Sequence, residues 1–136
     1  MLDCNDEAYL AARAIQFFTP GVPQVYYVGL LAGENDNKNV ILTGEGREIN
    51  RKNFSIDEID KAVQKQVVKR LLKLIRFRNE YPAFNGEFKV MDSSDDKINL
   101  LWKKDEKSCS LHVDLITLTS VINFQNDAGK IEYFKI

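Results

Sequence analysis

Hydrophobic positions near the start of the chain repeat at helical spacing. Apolar side chains recur at three-residue steps from Tyr9 to Phe18, after a capping residue at Asn5 or Asp6. Residues 19–21, with the sequence Thr-Pro-Gly, end the pattern because proline and glycine do not continue a helix. The pattern therefore predicts a first helix with one apolar face.

A second helical pattern begins at a capping box formed by Ser55 and Glu58. The apolar stripe that follows runs from Ile59 to Ile75 and is too wide for a helix that lies free on a surface. The pattern ends between Asn79 and Pro82, because the residue before a proline avoids the helical region. We expect one long helix that packs on a substantial partner.

The segment between these helices has two parts. Gln24 to Val28 is apolar at nearly every position, which is typical of a strand covered on both faces. Such a strand needs neighbours on its edges, and no other segment resembles a parallel neighbour. Gly29 to Asn53 is polar and longer than most connections, which is typical of a functional loop.

After Pro82 the period of the apolar positions changes from about 3.6 to 2 residues. Clusters of turn residues separate the alternating segments, which indicates a small antiparallel sheet. The predicted strands are Glu87 to Met91, Lys97 to Lys103, Ser108 to Asp114, Thr117 to Phe124 and Lys130 to Lys135. We therefore expect one domain over residues 1–82 and a β domain over residues 83–136.

Composition narrows the classes of function. The 136 residues are 44% hydrophobic, which is enough for a packed core. The 19 basic and 20 acidic residues give a net charge of -1, which argues against a nucleic-acid partner. No apolar run reaches membrane-spanning length and Met1 does not begin a signal peptide, so no membrane partner and a cytoplasmic location are expected.

Metal and nucleophile chemistry have few candidate residues. Cys4 and Cys109 are far apart and His112 is the single histidine, which leaves too few groups for a zinc site or a Ser-His-Asp triad. We therefore predict no metal, no cofactor and no catalytic residue of these kinds. Acidic residues at the predicted helix starts are explained by the helix dipole.

The arginines of the polar loop are the candidate binding residues. Arg47 follows Gly46, where the backbone can approach a ligand closely, and Arg51 lies four residues on. A planar guanidinium with five donors suits a polyhydroxylated or anionic substrate. An ion pair between the loop and the body of the protein is equally consistent with the pattern.

Three segments of the chain resemble the C-terminal part of sucrose phosphorylases, in the α-amylase superfamily (glycoside hydrolase family 13 type). They are AARAIQFFTPGVPQVYYVGLLAGENDN, GREINR and VVKRLLKLIRFRNEYPAF. The resemblance implies an α+β fragment: the last strand and last two helices of a (β/α)8 TIM barrel, followed by a small antiparallel β-sheet domain. Asp6 to Phe18 would be the seventh barrel helix, Gln24 to Val28 the eighth strand, and Val67 to Asn79 the eighth helix.

The same resemblance implies a function. The family converts sucrose and inorganic phosphate to α-glucose 1-phosphate and fructose by two displacements through a covalent glucosyl-enzyme. Arg47 matches the arginine of the family motif GR(D/E)INR and would contact glucose, with Arg51 in support. The family's three catalytic carboxylates precede the matched part. The resemblance thus implies a chain that is inactive alone, with sucrose or glucose and phosphate as partners of the full-length enzyme.

Two other hypotheses remain open. The β domain and the arginine loop would form a carbohydrate-binding module, or the chain would be a structural module that self-associates through exposed barrel surface. A binding module usually offers exposed aromatic rings, whereas Trp102, the single tryptophan, falls where core packing is expected.

Overall fold

The fold is that of a computed structural model, which describes residues 5–136; Cys4 lies outside the described residues. Helices come first in the chain and strands follow. The helices are α1 (Asp6–Phe18), α2 (Tyr27–Leu30), α3 (Asn37–Thr43), α4 (Ile56–Ala62) and α5 (Gln66–Glu80), with short 3-10 helices at Gly46–Asn50 and Pro82–Asn85. The strands are β1 (Glu87–Met91), β2 (Lys97–Lys104), β3 (Lys107–Asp114), β4 (Thr119–Gln125) and β5 (Ile131–Lys135).

The five strands form one antiparallel sheet in the order β1-β2-β3-β4-β5. Each strand is hydrogen-bonded to the next one in the chain, so the predicted small antiparallel sheet is confirmed. Its inner face carries Trp102, Cys109, Leu111 and Ile122, all of which are buried. Alternation along each strand therefore covers one face and exposes the other.

Helices α1 and α5 pack against each other and cover the inner face of the sheet. Asn5 caps α1 by accepting hydrogen bonds from two backbone amides, as predicted. Ala11 and Ala14 are buried on α1, where their small side chains permit close packing. None of the helices within residues 5–136 is long and apolar enough to cross a bilayer.

An aromatic cluster joins α5 to the sheet. The ring of Phe77 lies 4.9 Å from that of Tyr81 and 5.7 Å from that of Phe84. Phe124 and Phe134, on β4 and β5, lie 5.2 and 5.3 Å from the same ring in edge-to-face geometry. Such pairs contribute about 0.5–1.5 kcal/mol each beyond the area they bury. The cluster therefore fixes the helix on the sheet.

The strand predicted at Gln24–Val28 is wrong. Residue Tyr26 is extended, but Tyr27 begins a single turn of helix that continues to Leu30. Every strand within residues 5–136 belongs to the sheet at residues 87–135, so no neighbour supplies the ladder of hydrogen bonds that a strand requires.

The single long helix predicted from Ser55 is also wrong. The capping box of Ser55 and Glu58 is present, but α4 ends at Ala62 and α5 begins at Gln66. Between them the amide of Lys65 bonds to the carbonyl of Ala62 in a tight turn. The apolar stripe is not buried throughout, because Ile56 on α4 is 78% exposed whereas the apolar face of α5 is buried.

An ion pair joins α1 to α5, and the same arginine bonds to the residue that follows β5. Arg70 on α5 donates to both carboxylate oxygens of Glu7 on α1, at 2.5 and 2.8 Å, and also to the carbonyl of Ile136. The hydrogen bond from Arg70 holds the pKa of the Glu7 carboxyl below its ordinary value of 4.5, and the same bond raises the pKa of Arg70.

We expect the Glu7 carboxylate to make stability depend on pH. A depressed pKa adds stability above pH 4.5, and that stability is lost as the pH falls through the folded-state value. Glu7→Gln should therefore lower the urea midpoint at about pH 6 and have a smaller effect at about pH 3. Glu87→Gln, a change at an exposed residue of β1, is the control and should show no such trend. An effect of Glu7→Gln that stays constant with pH would contradict this.

Candidate functional site

The loop that carries the candidate arginines is folded. Sequence analysis predicts an irregular segment from Gly29 to Asn53, yet the structure contains α3 and a 3-10 helix there. Asp36 caps α3 through its carboxylate, and its own amide donates to the carbonyl of Ile49 at 2.7 Å. Gly44 ends α3 with a φ of 71°, which favours glycine. We call residues 31–54 the arginine loop.

Glu48 lies at the centre of the arginine loop. Its carboxylate is 3.7 Å from Nε of Arg47 and 3.3 Å from Nη1 of Arg51. The side-chain amide of Asn39 on α3 also donates to the Glu48 carboxylate, at 3.3 Å. Arg47 forms a further ion pair with Glu45. Glu48 was not among the residues predicted from the sequence, although its spacing of three residues from Arg51 is a recognised ion-pair spacing.

Both arginines are accessible to a ligand. The side chain of Arg47 is 65% exposed and that of Arg51 is 47% exposed, whereas Glu48 is only 20% exposed. Their ion pairs lie within the loop and do not join it to the body of the protein. Exposed ion pairs contribute only ~0.2–1 kcal/mol each, so a ligand can replace them at little cost.

The base of the arginine loop is anchored by aromatic residues. The hydroxyl of Tyr27 donates to the carbonyl of Lys52 at 3.0 Å, and its ring meets that of Phe54 edge to face at 6.1 Å. A Cβ at Gly33 would lie 2.9 Å from the side chains of both Phe54 and Val28, so the two ends of the loop approach closely only because residue 33 is glycine. Arg47 is thus presented on a loop whose ends are held together.

A cleft of about 450 Å3 lies between the start of the arginine loop and the first turns of α1 and α5. Its lining includes residues 32–35 of the loop together with Asn5, Asp6, Tyr9 and Lys65, but neither candidate arginine. The arginines therefore lie on an open surface and not in this cleft.

The remaining candidate groups offer little chemistry. Burial raises the pKa of the Cys109 thiol to about 12, which makes the thiolate scarce near neutral pH. His112 is exposed, and its ring nitrogens lie 2.8 Å from Asn99 Oδ1 and 3.0 Å from Ser110 Oγ. Within residues 5–136, no group of three or more acidic, histidine or cysteine side chains is placed to hold a metal ion.

Comparison with curated proteins gives close relatives. Sucrose 6(F)-phosphate phosphorylase of Thermoanaerobacterium thermosaccharolyticum is 64% identical over 129 residues, which is 95% of this chain and 26% of the relative. Glucosylglycerol phosphorylase of Marinobacter adhaerens is 52% identical over 82% of this chain and 23% of the relative. Sucrose phosphorylase of Bifidobacterium adolescentis is 44% identical over 94% of this chain and 27% of the relative. No family model matches the chain.

Solved structures agree with these relatives. The crystal structure of sucrose 6F-phosphate phosphorylase from Thermoanaerobacter thermosaccharolyticum superposes with a TM-score of 0.97 at 61% identity, over 99% of this chain and 27% of that one. Cyclic α-maltosyl-(1→6)-maltose hydrolase of Arthrobacter globiformis matches with a TM-score of 0.61 at 16% identity, over 97% of this chain and 30% of that one. The second likeness concerns the fold alone.

The chain is therefore similar to one part of the phosphorylases of glycoside hydrolase family 13. That part is the C-terminal region of sucrose 6(F)-phosphate phosphorylase and of sucrose phosphorylases, and the resemblance predicted from the three sequence segments is confirmed. The chain spans about a quarter of the length of these relatives.

We predict that Glu48 holds the arginine loop in its observed conformation. Glu48→Gln removes the charge shared by Arg47 and Arg51, and amide exchange within residues 46–51 should accelerate about two- to fivefold, as expected for the loss of exposed ion pairs. Glu34→Gln changes an exposed carboxylate of the same loop that forms no ion pair with the described residues. Equal exchange in both variants would argue against an organising role for Glu48.

Proposed function

We propose that the chain is the C-terminal portion of a retaining glucosyltransferase that phosphorolyses sucrose to α-glucose 1-phosphate and fructose. The observation that carries the proposal is the exposed Arg47, presented on an anchored loop in a chain 64% identical to part of a sucrose 6(F)-phosphate phosphorylase. The activity belongs to the whole enzyme, because the chain covers about a quarter of such relatives.

Arg47 contacts the glucosyl group in this proposal. A guanidinium offers five N–H donors in one plane, which can bind adjacent hydroxyl groups of a sugar. Glu48 accepts a hydrogen bond from Arg51 and forms an ion pair with Arg47, and most of the Arg47 side chain stays exposed. Arg51 then orients Arg47 indirectly, through their shared carboxylate.

The architecture of the whole enzyme follows from the same resemblance. Helices α1 and α5 would be the last two helices of a (β/α)8 barrel, and Gln24–Tyr26 would belong to its last strand. The sheet would be the C-terminal β domain, with the boundary near Pro82. Sites of this barrel class lie on the loops that follow the strands, which is where the arginine loop would stand.

The reacting carboxylates would come from the preceding part of the enzyme. The isolated chain would then bind no substrate productively and would release no glucose 1-phosphate. The alternative of a free carbohydrate-binding module has less support, because Trp102 is only 6% exposed and offers no platform to a sugar ring.

A chimera tests the proposal. The chain replaces the matched region of the Thermoanaerobacterium thermosaccharolyticum enzyme, and release of α-glucose 1-phosphate is measured with sucrose and sucrose 6-phosphate as alternative substrates. We expect activity from the chimera and none from the isolated chain. Activity in the isolated chain, or an inactive chimera that is folded, would contradict the proposal.

The role of Arg47 has its own test in the same chimera. Arg47→Lys keeps the charge but loses the planar donors, and kcat/KM should fall about 10- to 100-fold, as expected for the loss of a charged hydrogen bond. Arg76→Lys, at an exposed position of α5, is the matched control and should change little. Equal effects of the two substitutions would remove Arg47 from the site.

A further inference from the structure

Another cleft, of about 390 Å3, lies where the turn after α1 meets the end of α5 and the sheet. Its lining includes Gly21 and Val22 from the turn, Arg78 and Asn79 from α5, and Asn85 from the 3-10 helix that follows. Among the described residues that line it, none belongs to the arginine loop and none is an aspartate or a glutamate. Arg78 therefore supplies the single formal charge of this lining, and that charge is positive.

The guanidinium of Arg78 has few partners. Nη2 donates to the carbonyl of Gly21 at 3.2 Å, whereas Nε is buried without a hydrogen-bond partner within residues 5–136. No carboxylate of that part of the chain forms an ion pair with Arg78. By contrast, Arg70, two turns earlier on α5, donates to both carboxylate oxygens of Glu7. A guanidinium carries five N–H donors, so Arg78 keeps most of its donors for an acceptor from outside.

Partial burial makes the missing anion costly. The central carbon of the Arg78 guanidinium lies 4.3 Å from the ring centre of Phe84 and 5.5 Å from that of Trp102. Burial there lowers the pKa of Arg78, and no carboxylate opposes that change. The two rings attract the cation and hold it in place, but they do not neutralise it. A partly desolvated charge without a counter-charge favours the binding of an anion.

Neutral donors adjoin the guanidinium. Asn79 and Asn85 are exposed at the cleft, and each side-chain amide offers two N–H groups. One guanidinium can satisfy both oxygens of a carboxylate, whereas a phosphate has further oxygens that the amides can reach. The volume of the cleft also falls within the range of small-ligand sites, roughly 300–1,000 Å3.

We propose that this cleft is a phosphate-binding site, which takes inorganic phosphate or the phosphoryl group of a small sugar phosphate. The site goes beyond the proposed function, because none of its residues lies on the arginine loop. It requires no catalytic group and is a property of the 136-residue chain itself.

Titration of the 136-residue chain tests the site. Inorganic phosphate and α-glucose 1-phosphate are added separately at constant ionic strength, with glucose as the neutral control, and 15N NMR follows the signals of Gly21, Asn79 and the Trp102 indole. We expect saturable shifts with both phosphates and none with glucose. Equal Kd values would identify the phosphoryl group alone as the ligand, and tighter binding of α-glucose 1-phosphate would assign the cleft to a sugar phosphate. No saturable shift with either phosphate would overturn the proposal.

A change of one charge at the cleft provides the decisive variant. Arg78 also holds the turn after α1, so the substitution is made at its exposed neighbour. Asn79→Asp keeps the size of the side chain and adds a carboxylate, which should weaken phosphate binding at least about tenfold by neutralising the guanidinium and repelling the anion.

Asn123→Asp is the matched control. It makes the same change of charge on β4, outside the lining of the cleft, and should alter the Kd less than about twofold because distant exposed charges are screened. Circular dichroism checks that both variants are folded. Equal losses of affinity would reveal a general effect of charge and would overturn the site.

The titration and the chimera fail independently. An inactive chimera would contradict the proposed function and leave phosphate binding by the chain unaffected. Absence of phosphate binding would remove the cleft as a site and leave phosphorolysis by the chimera unaffected.

Discussion

The fold depends on one buried contact between the helices and the sheet. The indole N–H of Trp102 on β2 donates to the carbonyl of Phe18 at the end of α1, at 2.6 Å. That carbonyl has no partner within its own helix, and an unsatisfied buried carbonyl costs about 1–3 kcal/mol. Trp102 also packs beside Phe84, with ring centres 5.8 Å apart. The contact therefore closes the end of α1 and joins it to the sheet.

The position of the candidate site follows from this contact. Arg78 on α5 lies over the ring of Phe84 and donates to the carbonyl of Gly21, so the turn after α1 is held from two sides. Desolvation lowers the pKa of the Arg78 guanidinium, which is partly buried beside this aromatic ring. The turn leads into residues 22–27 and then into the arginine loop. The packed core thus sets where the polar arginine loop begins.

Local patterns predicted most of the fold. The sheet was predictable because alternation needs only one buried face, and β1 was predicted with its observed bounds. The strand at Gln24–Val28 was not, because a strand depends on partners that no local pattern supplies. The break between α4 and α5 was not predicted, because the apolar period continues through Val63. For the site, the motif located Arg47, and the spacing of Glu48 and Arg51 was compatible with an ion pair. That the Glu48 carboxylate lies beside both arginines was apparent only from the structure.

The central claim is that helices α1 and α5, between which the arginine loop lies, form one cooperative unit with the sheet. Trp102 is the single tryptophan and is only 6% exposed, so its fluorescence reports on the contact between α1 and β2. Urea unfolding followed by this fluorescence and by helical circular dichroism measures both parts in one experiment. We expect coincident transitions with one midpoint. Two separate midpoints would show that the helices and the sheet unfold independently and would contradict the claim.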